Sequence, residues 1–560
     1  MSEVPRTAFV LGAGLGTRLR PLTDRLPKPL LPLGGEPLVK RALTHLAKAG
    51  VTRLLINTHH LPEAWPQAFP QGAVPGAQLE FIHEPELLDT GGGLSAIAHY
   101  LTPEDRELLL WNGDCLGEPD LAALVKAHRT SQAEATLLLR PTGPLANVRL
   151  SPDGRITDCR DQLGSQDPAY QFTGIAVVTA AFAQATPPTK TSWIDYLLQR
   201  IRENPEAIRG WVEAEGHWDD IGTPEAYAAA HLQAAQAQAD AAGWIPSQEA
   251  ALAKGGSGRR FLRARHADGR TGILCLRDGV RQENAGYGAL AQVLRTELSL
   301  NVPAVYHPDT AGALVLEDLG TVDLQQRTTE KDFPWDVYAS ALQQVNQLHR
   351  GGLEAARRAG LTLQPAFDAQ LYRWECDYFL EHNLNGRRLD RGIHEEMSSL
   401  ARELLAQPRV AVHRDFQSHN IMVRDNAAWL LDFQGMREGC AAYDFASLAF
   451  DPYVTRPDMQ LWRIEIEDEA RELSDWKGSR DAWTHLLHVA ATQRLLQACG
   501  AYANLGQRQG RADFLAHLPA GLSLLENAAR VCGRRRIADL VRDLREQRLS
   551  GPARRPAVRR

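Results

Sequence analysis

The chain of 560 residues exceeds what one hydrophobic core organises, so two or three domains are expected. An apolar fraction of 44%, a charged fraction of 23% and a formal net charge of −6 provide no basic field, which excludes a bulk nucleic-acid binder. The seven cysteines are scattered and lack any C-x-x-C pair; this argues against a disulfide framework or a zinc site and fits a reducing cytoplasm.

The opening residues 1–6 are too polar for a signal peptide, and the apolar run 8–11 leads straight into glycines, which makes it a first strand. Short apolar runs at 8–11, 53–56, 79–82, 107–111, 136–139 and 174–178 alternate with helical patterns. That alternation predicts an α/β, Rossmann-like domain over 1–235 with a mostly parallel sheet. No run of about 20 apolar residues occurs, so no membrane span is expected. The Ala/Gln-rich stretch 229–242 is helical in composition with little periodic apolar face, and it predicts a last helix running into a linker over 236–250. Strand-like runs at 260–265, 272–276 and 314–319, with a helical run at 285–298 among them, predict a small sheet lobe over 251–325. A mainly helical lobe follows over 326–550, then a solvated basic tail over 551–560.

The first strand opens into Leu11, Gly12, Ala13, Gly14, Leu15, Gly16, Thr17 and Arg18. Glycines here let backbone N–H groups approach phosphates closely, although the G-x-G-x-G spacing alone also suits an ordinary tight turn. Positive charge is carried almost wholly by arginine, with lysine only at 28, 40, 48, 126, 190, 254, 331 and 477. Lys28, held between Pro27 and Pro29, therefore gains weight as a second fixed cation beside Arg18. Trp111, Asn112, Gly113 and Asp114 close an apolar strand and put a carboxylate at its C-terminal end, where open α/β sheets bind ligands.

The string from Leu11 to Thr23, followed by Pro27, Lys28, Pro29 and Leu30, closely resembles the sugar-1-phosphate nucleotidyltransferase family. The resemblance implies that Leu11, Gly12, Ala13, Gly14, Gly16 and Thr17 bind nucleotide, and that Arg18 and Lys28 neutralise charge in catalysis. It also implies that Asp114 and Asp220 hold Mg²⁺; the W-x-D-x-G-T spacing selects Asp220 over Asp219. The segment 84–93 looks like the family's base- and sugar-facing loop, which assigns Glu84 and the backbone of Thr90, Gly91 and Gly92 to the nucleotide. Asn147 and Gly174 resemble sugar-side positions. Asn57, His59 and His60 read as loop residues.

In the C-terminal half an apolar run feeds His413, Arg414 and Asp415, with Asn420 five residues on and Asp432 after a further strand. In phosphoryl transfer a loop aspartate accepts the acceptor's proton, and an asparagine and a later aspartate bind metal. These are Asp415, Asn420 and Asp432. The surroundings resemble the aminoglycoside phosphotransferase and choline kinase family, which implies a two-lobed, kinase-like α+β domain. The same resemblance makes Gly255, Gly256, Ser257 and Gly258 a phosphate-covering loop, Glu317 part of the adenine-facing hinge, and Asp444 structural. The lysine that family carries after its glycine-rich loop is missing. Arg259, Arg260 or Arg277 are its candidate substitutes, and Glu283 is the candidate helix acid.

Together the halves resemble a fusion of two cell-wall-recycling enzymes, an anomeric N-acetylmuramate/N-acetylglucosamine kinase and an N-acetylmuramate-1-phosphate uridylyltransferase. That implies an amino sugar, ATP and UTP as substrates, with Mg²⁺. Two rivals stand beside it: choline kinase with phosphocholine cytidylyltransferase, for which Trp374, Tyr378 and Phe379 would form an aromatic cage, and a transferase regulated by a non-catalytic kinase lobe.

Overall fold

The computed structural model describes the chain except residues 1–2, 71–73, 144, 248–258, 278, 280–285, 309–311, 385–389, 509 and 551–560, together with the side chains of 549 and 550. Gly255, Gly256, Ser257, Gly258, Glu283 and the basic tail lie outside the described residues.

The first domain is built on a nine-stranded sheet. Thr7–Leu11 pairs in parallel with Arg53–Thr58 on one side and Glu107–Asn112 on the other, and Gln78–His83 extends the parallel set. Thr7–Leu11, Arg53–Thr58 and Glu107–Asn112 are largely buried on both faces, which is why they read as continuous apolar runs. Phe9, Leu55, Leu108 and Leu110 pack towards Leu94, Ile97 and Leu197, while Val10, Leu54, Leu109 and Trp111 pack towards Leu43, Leu46 and Leu124. In register Leu11 faces Asn57 and Asn112, so the glycine-rich turn and the segment carrying Asp114 leave the sheet at the same edge.

The expected parallel pairing holds for those strands and for Ile208–Val212 beside Ala135–Arg140. The long strand Ala169–Thr179 runs antiparallel to Glu107–Asn112, Ala135–Arg140 and Ala146–Leu150, making the sheet mixed.

The second region has the expected two lobes. Trp244–Pro246, Arg259–His266, Thr271–Arg277, Ala313–Glu317 and Val305–His307 form an antiparallel five-stranded sheet in that order, backed by helix Tyr287–Leu298. A helical lobe follows, in which Trp335–Arg358 and Arg480–Ala503 surround the short strand pairs that carry the H-x-D-x4-N and Leu-Asp-Phe segments.

Of the expected linker, the described residues 236–247 are instead structured as a helix end and a strand. Helix Pro224–Ala241 starts with Pro224 at its first position and Thr223 as N-cap, whose Oγ1 accepts the Ala226 N–H at 3.2 Å. Tyr227, Ala230 and Ala234 pack with Leu19, Leu31, Leu38 and Ile221 of the first domain. Ala235 and Ala239 pack with Trp244, Leu274, Ala313 and Val315 of the second. A helix buried on two faces by small residues has no single apolar stripe, so its periodicity is weak although it bridges both domains. Trp244–Pro246 then joins the kinase-like sheet as its edge strand.

Candidate active sites

The glycine-rich turn, the segment 28–29, the end of Glu107–Asn112 and the start of helix Asp89–Ala98 enclose a cleft of about 510 Å³. Leu11, Ala13, Gly14, Gly16, Thr17, Arg18, Lys28, Glu84 and Asp114 all line it, as expected for a shared site. Gly16 at φ +61° turns the chain into the short helix Thr17–Leu19, and its carbonyl accepts from Thr23 Oγ1 at 2.9 Å. That conformation favours glycine.

Lys28 is buried and its ammonium pairs with Asp114 Oδ2. Asp220 arrives from strand Trp218–Asp220, which is zipped antiparallel to Cys115–Gly117 so that Asp220 faces Cys115. A Cβ on Gly222 would sit 3.0 Å from Arg18 Nη2 and 3.1 Å from Asp220 Oδ1, which places that arginine and that acid side by side. Burial, then the neighbouring Asp114, pushes the Asp220 carboxyl above its usual range, with Lys28 and Arg18 opposing. Two carboxylates forced together in this way are relieved by a cation.

Carboxylate oxygens of Asp114 and Asp220 and Cys115 Sγ lie within 4.8 Å of one another. Burial drives the Cys115 thiol well up, so it stays protonated and offers no soft anionic ligand. What remains is a pair of hard oxygen donors beside the glycine-rich turn, a set that suits Mg²⁺.

Other expected contacts fall elsewhere. The Gly12 N–H donates to Asn57 Oδ1 at 2.7 Å, so it serves the fold rather than a ligand. Asn57 Nδ2 in turn donates to Glu84 Oε1 at 2.8 Å, and Glu84 Oε2 accepts the Leu88 N–H at 3.4 Å. Glu84 thus lines the cleft with its carboxylate engaged, and Asn57, read from sequence as a loop residue, is a buried strand residue linking the two walls.

Gly91 and Gly92 do not line the cleft. Their N–H groups both donate to the Thr191 carbonyl, at 3.0 and 3.3 Å; of the expected stretch 90–92 only Thr90 lines the cleft, beside Asp89. Asn147 lies in strand Ala146–Leu150 away from the cleft, and Gly174 backs Asn112, whose side-chain nitrogen would be 2.6 Å from a Cβ there. Lys190 lines the cleft and was not singled out for a role. Its sequence signal was the scarcity of lysine.

In the second region the backbone carries the loop geometry. Asp444, fully buried, accepts the N–H groups of His413 at 2.7 Å and Arg414 at 2.8 Å and pairs with His349 at 2.9 Å, consistent with a structural role. It holds Arg414 in the left-handed region at φ +78°, a strained conformation of the kind that collects at functional loops. Asn420 Nδ2 donates to the Asp415 carbonyl at 2.8 Å, and the Asn420 carbonyl accepts the Leu431 N–H at 2.8 Å, so the three expected residues are tied together. Asp415 Oδ1 accepts from Arg494 Nη2 at 3.3 Å, and the same nitrogen donates to Gln417 Oε1 at 3.2 Å. Arg494 sits buried on helix Arg480–Ala503, 79 residues from Asp415, with no local motif to announce it.

Arg259, one of the three candidate substitutes, is buried and pairs with Asp432 Oδ1, which also accepts from Gln434 Nε2 at 2.9 Å. Burial works against the Asp432 charge, but Arg259 prevails and holds its carboxyl below the usual range. Asp432 and Asn420 offer hard oxygens that fit Mg²⁺, with the Arg259 guanidinium competing for the acid. Arg277 belongs to the strand Thr271–Arg277 instead, where its carbonyl pairs with His231 Nδ1 at 3.0 Å.

Glu317 is used within the fold: its carboxylate accepts from Arg424 Nη1 at 2.6 Å and the Ala304 N–H at 3.1 Å, and its own N–H donates to the Ala304 carbonyl. The aromatic cage that the choline alternative requires is not formed by Trp374, Tyr378 and Phe379. Trp374 and Tyr378 stack on each other at 5.1 Å, and Phe379 is fully buried in the core.

The cleft around Lys28, Asp114 and Asp220 and the cluster of Asp415, Asn420 and Asp432 each join acids, cations and a tight backbone turn. Residues 7–146 match the family model described as nucleotidyl transferase, and residues 248–478 match the phosphotransferase enzyme family. The chain therefore carries a nucleotidyl transferase domain followed by a domain of the phosphotransferase enzyme family. A mannose-1-phosphate guanylyltransferase of Mycobacterium tuberculosis is 31% identical over 223 residues, covering 39% of this chain and 61% of the relative. An N-acetylmuramate/N-acetylglucosamine kinase of Neisseria meningitidis is 27% identical over 283 residues, covering 49% of this chain and 83% of the relative. Among solved structures, a UDP-glucose pyrophosphorylase from Acinetobacter baumanii is 15% identical with a TM-score of 0.37, covering 42% of this chain and 94% of that one.

Proposed function

We propose that the chain first phosphorylates an amino sugar, N-acetylmuramate or N-acetylglucosamine, at its anomeric hydroxyl with ATP. It then couples the sugar 1-phosphate to UTP, releasing pyrophosphate and a UDP-sugar, as in peptidoglycan recycling. The observation that carries this reading is the coexistence on one chain of the Lys28, Asp114 and Asp220 cluster with the Asp415, Asn420 and Asp432 set. A kinase relative named for these two sugars supports the choice of substrate. Both nucleotides and the free, buried cysteines favour a cytoplasmic setting, and among the described residues no helix is long and apolar enough to cross a membrane.

In the first step Asp415 accepts the proton of the anomeric hydroxyl as that oxygen attacks the γ-phosphorus of ATP, and ADP leaves. Arg494 holds the base in place, and Arg259 supplies the positive charge that the missing lysine would bring. In the second step a phosphate oxygen of the sugar 1-phosphate attacks the α-phosphorus of UTP; the bond to the bridging oxygen breaks and pyrophosphate departs. Arg18, Lys28 and the turn 14–17 neutralise the charge that develops, so no covalent intermediate with the protein is needed. Mg²⁺ held by Asp114 and Asp220, and by Asn420 and Asp432, would add Lewis-acid charge neutralisation.

The choline alternative loses support from the stacked Trp374 and Tyr378 and the buried Phe379. Incubation with ATP, UTP and a panel of amino sugars and choline, followed by mass detection, tests the reading. A UDP-sugar from N-acetylmuramate is expected; phosphocholine, or no phosphoryl transfer at all, would overturn it.

A further inference from the structure

The transferase cleft is lined by three cations, and two of them are accounted for. Lys28 pairs with Asp114 and Arg18 lies beside Asp220, so both serve the end where phosphates and metal would meet. Lys190 is held by a different element. Its neighbour Thr191 is tied in both directions to the start of helix Asp89–Ala98: the Thr191 N–H donates to the Leu88 carbonyl at 3.1 Å, and its carbonyl accepts from Gly91 and Gly92. A Cβ on Gly91 or Gly92 would lie 2.7 Å from the Thr191 carbonyl oxygen or 2.5 Å from that of Thr189, so glycine is what lets this segment seat so closely. The seating delivers Lys190 to the wall that also holds Leu87, Asp89 and Thr90. Among the described residues its ammonium has no hydrogen-bond or ion-pair partner.

A lysine positioned at a cleft wall without a counter-charge is ready for an anion that arrives with a substrate. We propose that Lys190 is a specificity-determining residue that pairs with a carboxylate on the sugar, remote from its 1-phosphate. The assignment rests on the sugar-1-phosphate reading of this cleft. Phosphate charge is already matched by Arg18, Lys28 and the backbone of the turn 14–17, whereas Lys190 stands beside the loop 84–93. Of the two amino sugars considered, N-acetylmuramate carries a lactyl carboxylate and N-acetylglucosamine does not. Lys190 therefore selects the acidic sugar phosphate.

The test measures kcat/KM for UDP-sugar formation by the full chain with UTP and either N-acetylmuramate 1-phosphate or N-acetylglucosamine 1-phosphate. The wild type is compared with Lys190→Gln, Lys190→Arg and Lys190→Glu. The acid-to-neutral ratio of kcat/KM is expected to fall about 30-fold in Lys190→Gln, further in Lys190→Glu, and by only a few-fold in Lys190→Arg. Equal losses with both sugar phosphates would assign Lys190 to nucleotide phosphates or to loop seating and overturn the proposal, as would an unchanged ratio. A wild type that uses neither sugar phosphate would overturn the parent reading of the cleft and this assignment with it.

Discussion

The two acid clusters are paired with different cations. In the transferase cleft a lysine close in sequence to the glycine-rich turn sits on Asp114, and a second acid, Asp220, is brought alongside by a two-stranded zipper. In the kinase-like domain the sequence from 255 to 330 holds no lysine, and an arginine at the start of strand Arg259–His266 reaches Asp432, while Arg494 from a distant helix reaches Asp415. A guanidinium is weakly hydrated and forms forked contacts, which suits buried positions better than an ammonium.

The sharpest way to break this comparison is to remove the cation from each side. Lys28→Met is expected to lower kcat for UDP-sugar formation about 10³-fold, the cost typical of losing one preorganised charge-stabilising donor, while sugar phosphorylation continues. Arg259→Met is expected to lower phosphoryl transfer about 10²-fold, with Arg259→Lys recovering part of it; full activity of Arg259→Met would show that another group replaces the lysine. Arg494→Met is expected to lower the kinase kcat about 10-fold with little change in KM for ATP, because it acts through Asp415 rather than on the nucleotide.

A smaller effect separates the regions by stability. Burial raises the carboxyl of Glu467, on helix Met459–Leu473 of the kinase-like lobe, to about 7. The folded chain then keeps a proton that the unfolded chain has lost, so this group costs stability increasingly as pH rises from the ordinary carboxylate range through about 7. Glu467→Gln should raise the melting temperature of this lobe by a few degrees, on the order of 2–4 °C, at pH 8 and hardly at all at pH 4. An equal gain at both values would refute the ionic origin.

What was legible in the sequence divides along the same line. Gly14, Gly16, Thr17, Arg18, Lys28 and Asp114 were readable because each belongs to a contiguous string at a strand end, and all of them line one cleft. Gly91 and Gly92 were misassigned because glycine marks close approach without saying of what; here the neighbour is the 189–191 backbone. Lys190, Asn57 and Arg494 reach their sites through backbone seating or helix packing, which no local spacing encodes. The bridging helix reads in sequence as the approach to a linker because small residues on two faces leave no apolar period. The antiparallel entry of Ala169–Thr179 was equally invisible, since direction leaves no mark on a strand buried from both sides.

The central claim is that one chain carries two consecutive transfer sites, and mixing two singly disabled chains tests it most directly. With ATP, UTP and N-acetylmuramate, Asp415→Asn alone and Asp114→Ala alone should each yield no UDP-sugar. The mixture should restore it, because the sugar 1-phosphate made by the Asp114→Ala chain feeds the transferase of the Asp415→Asn chain. UDP-sugar from Asp415→Asn alone, or none from the mixture under conditions in which the wild type is active, would contradict the account.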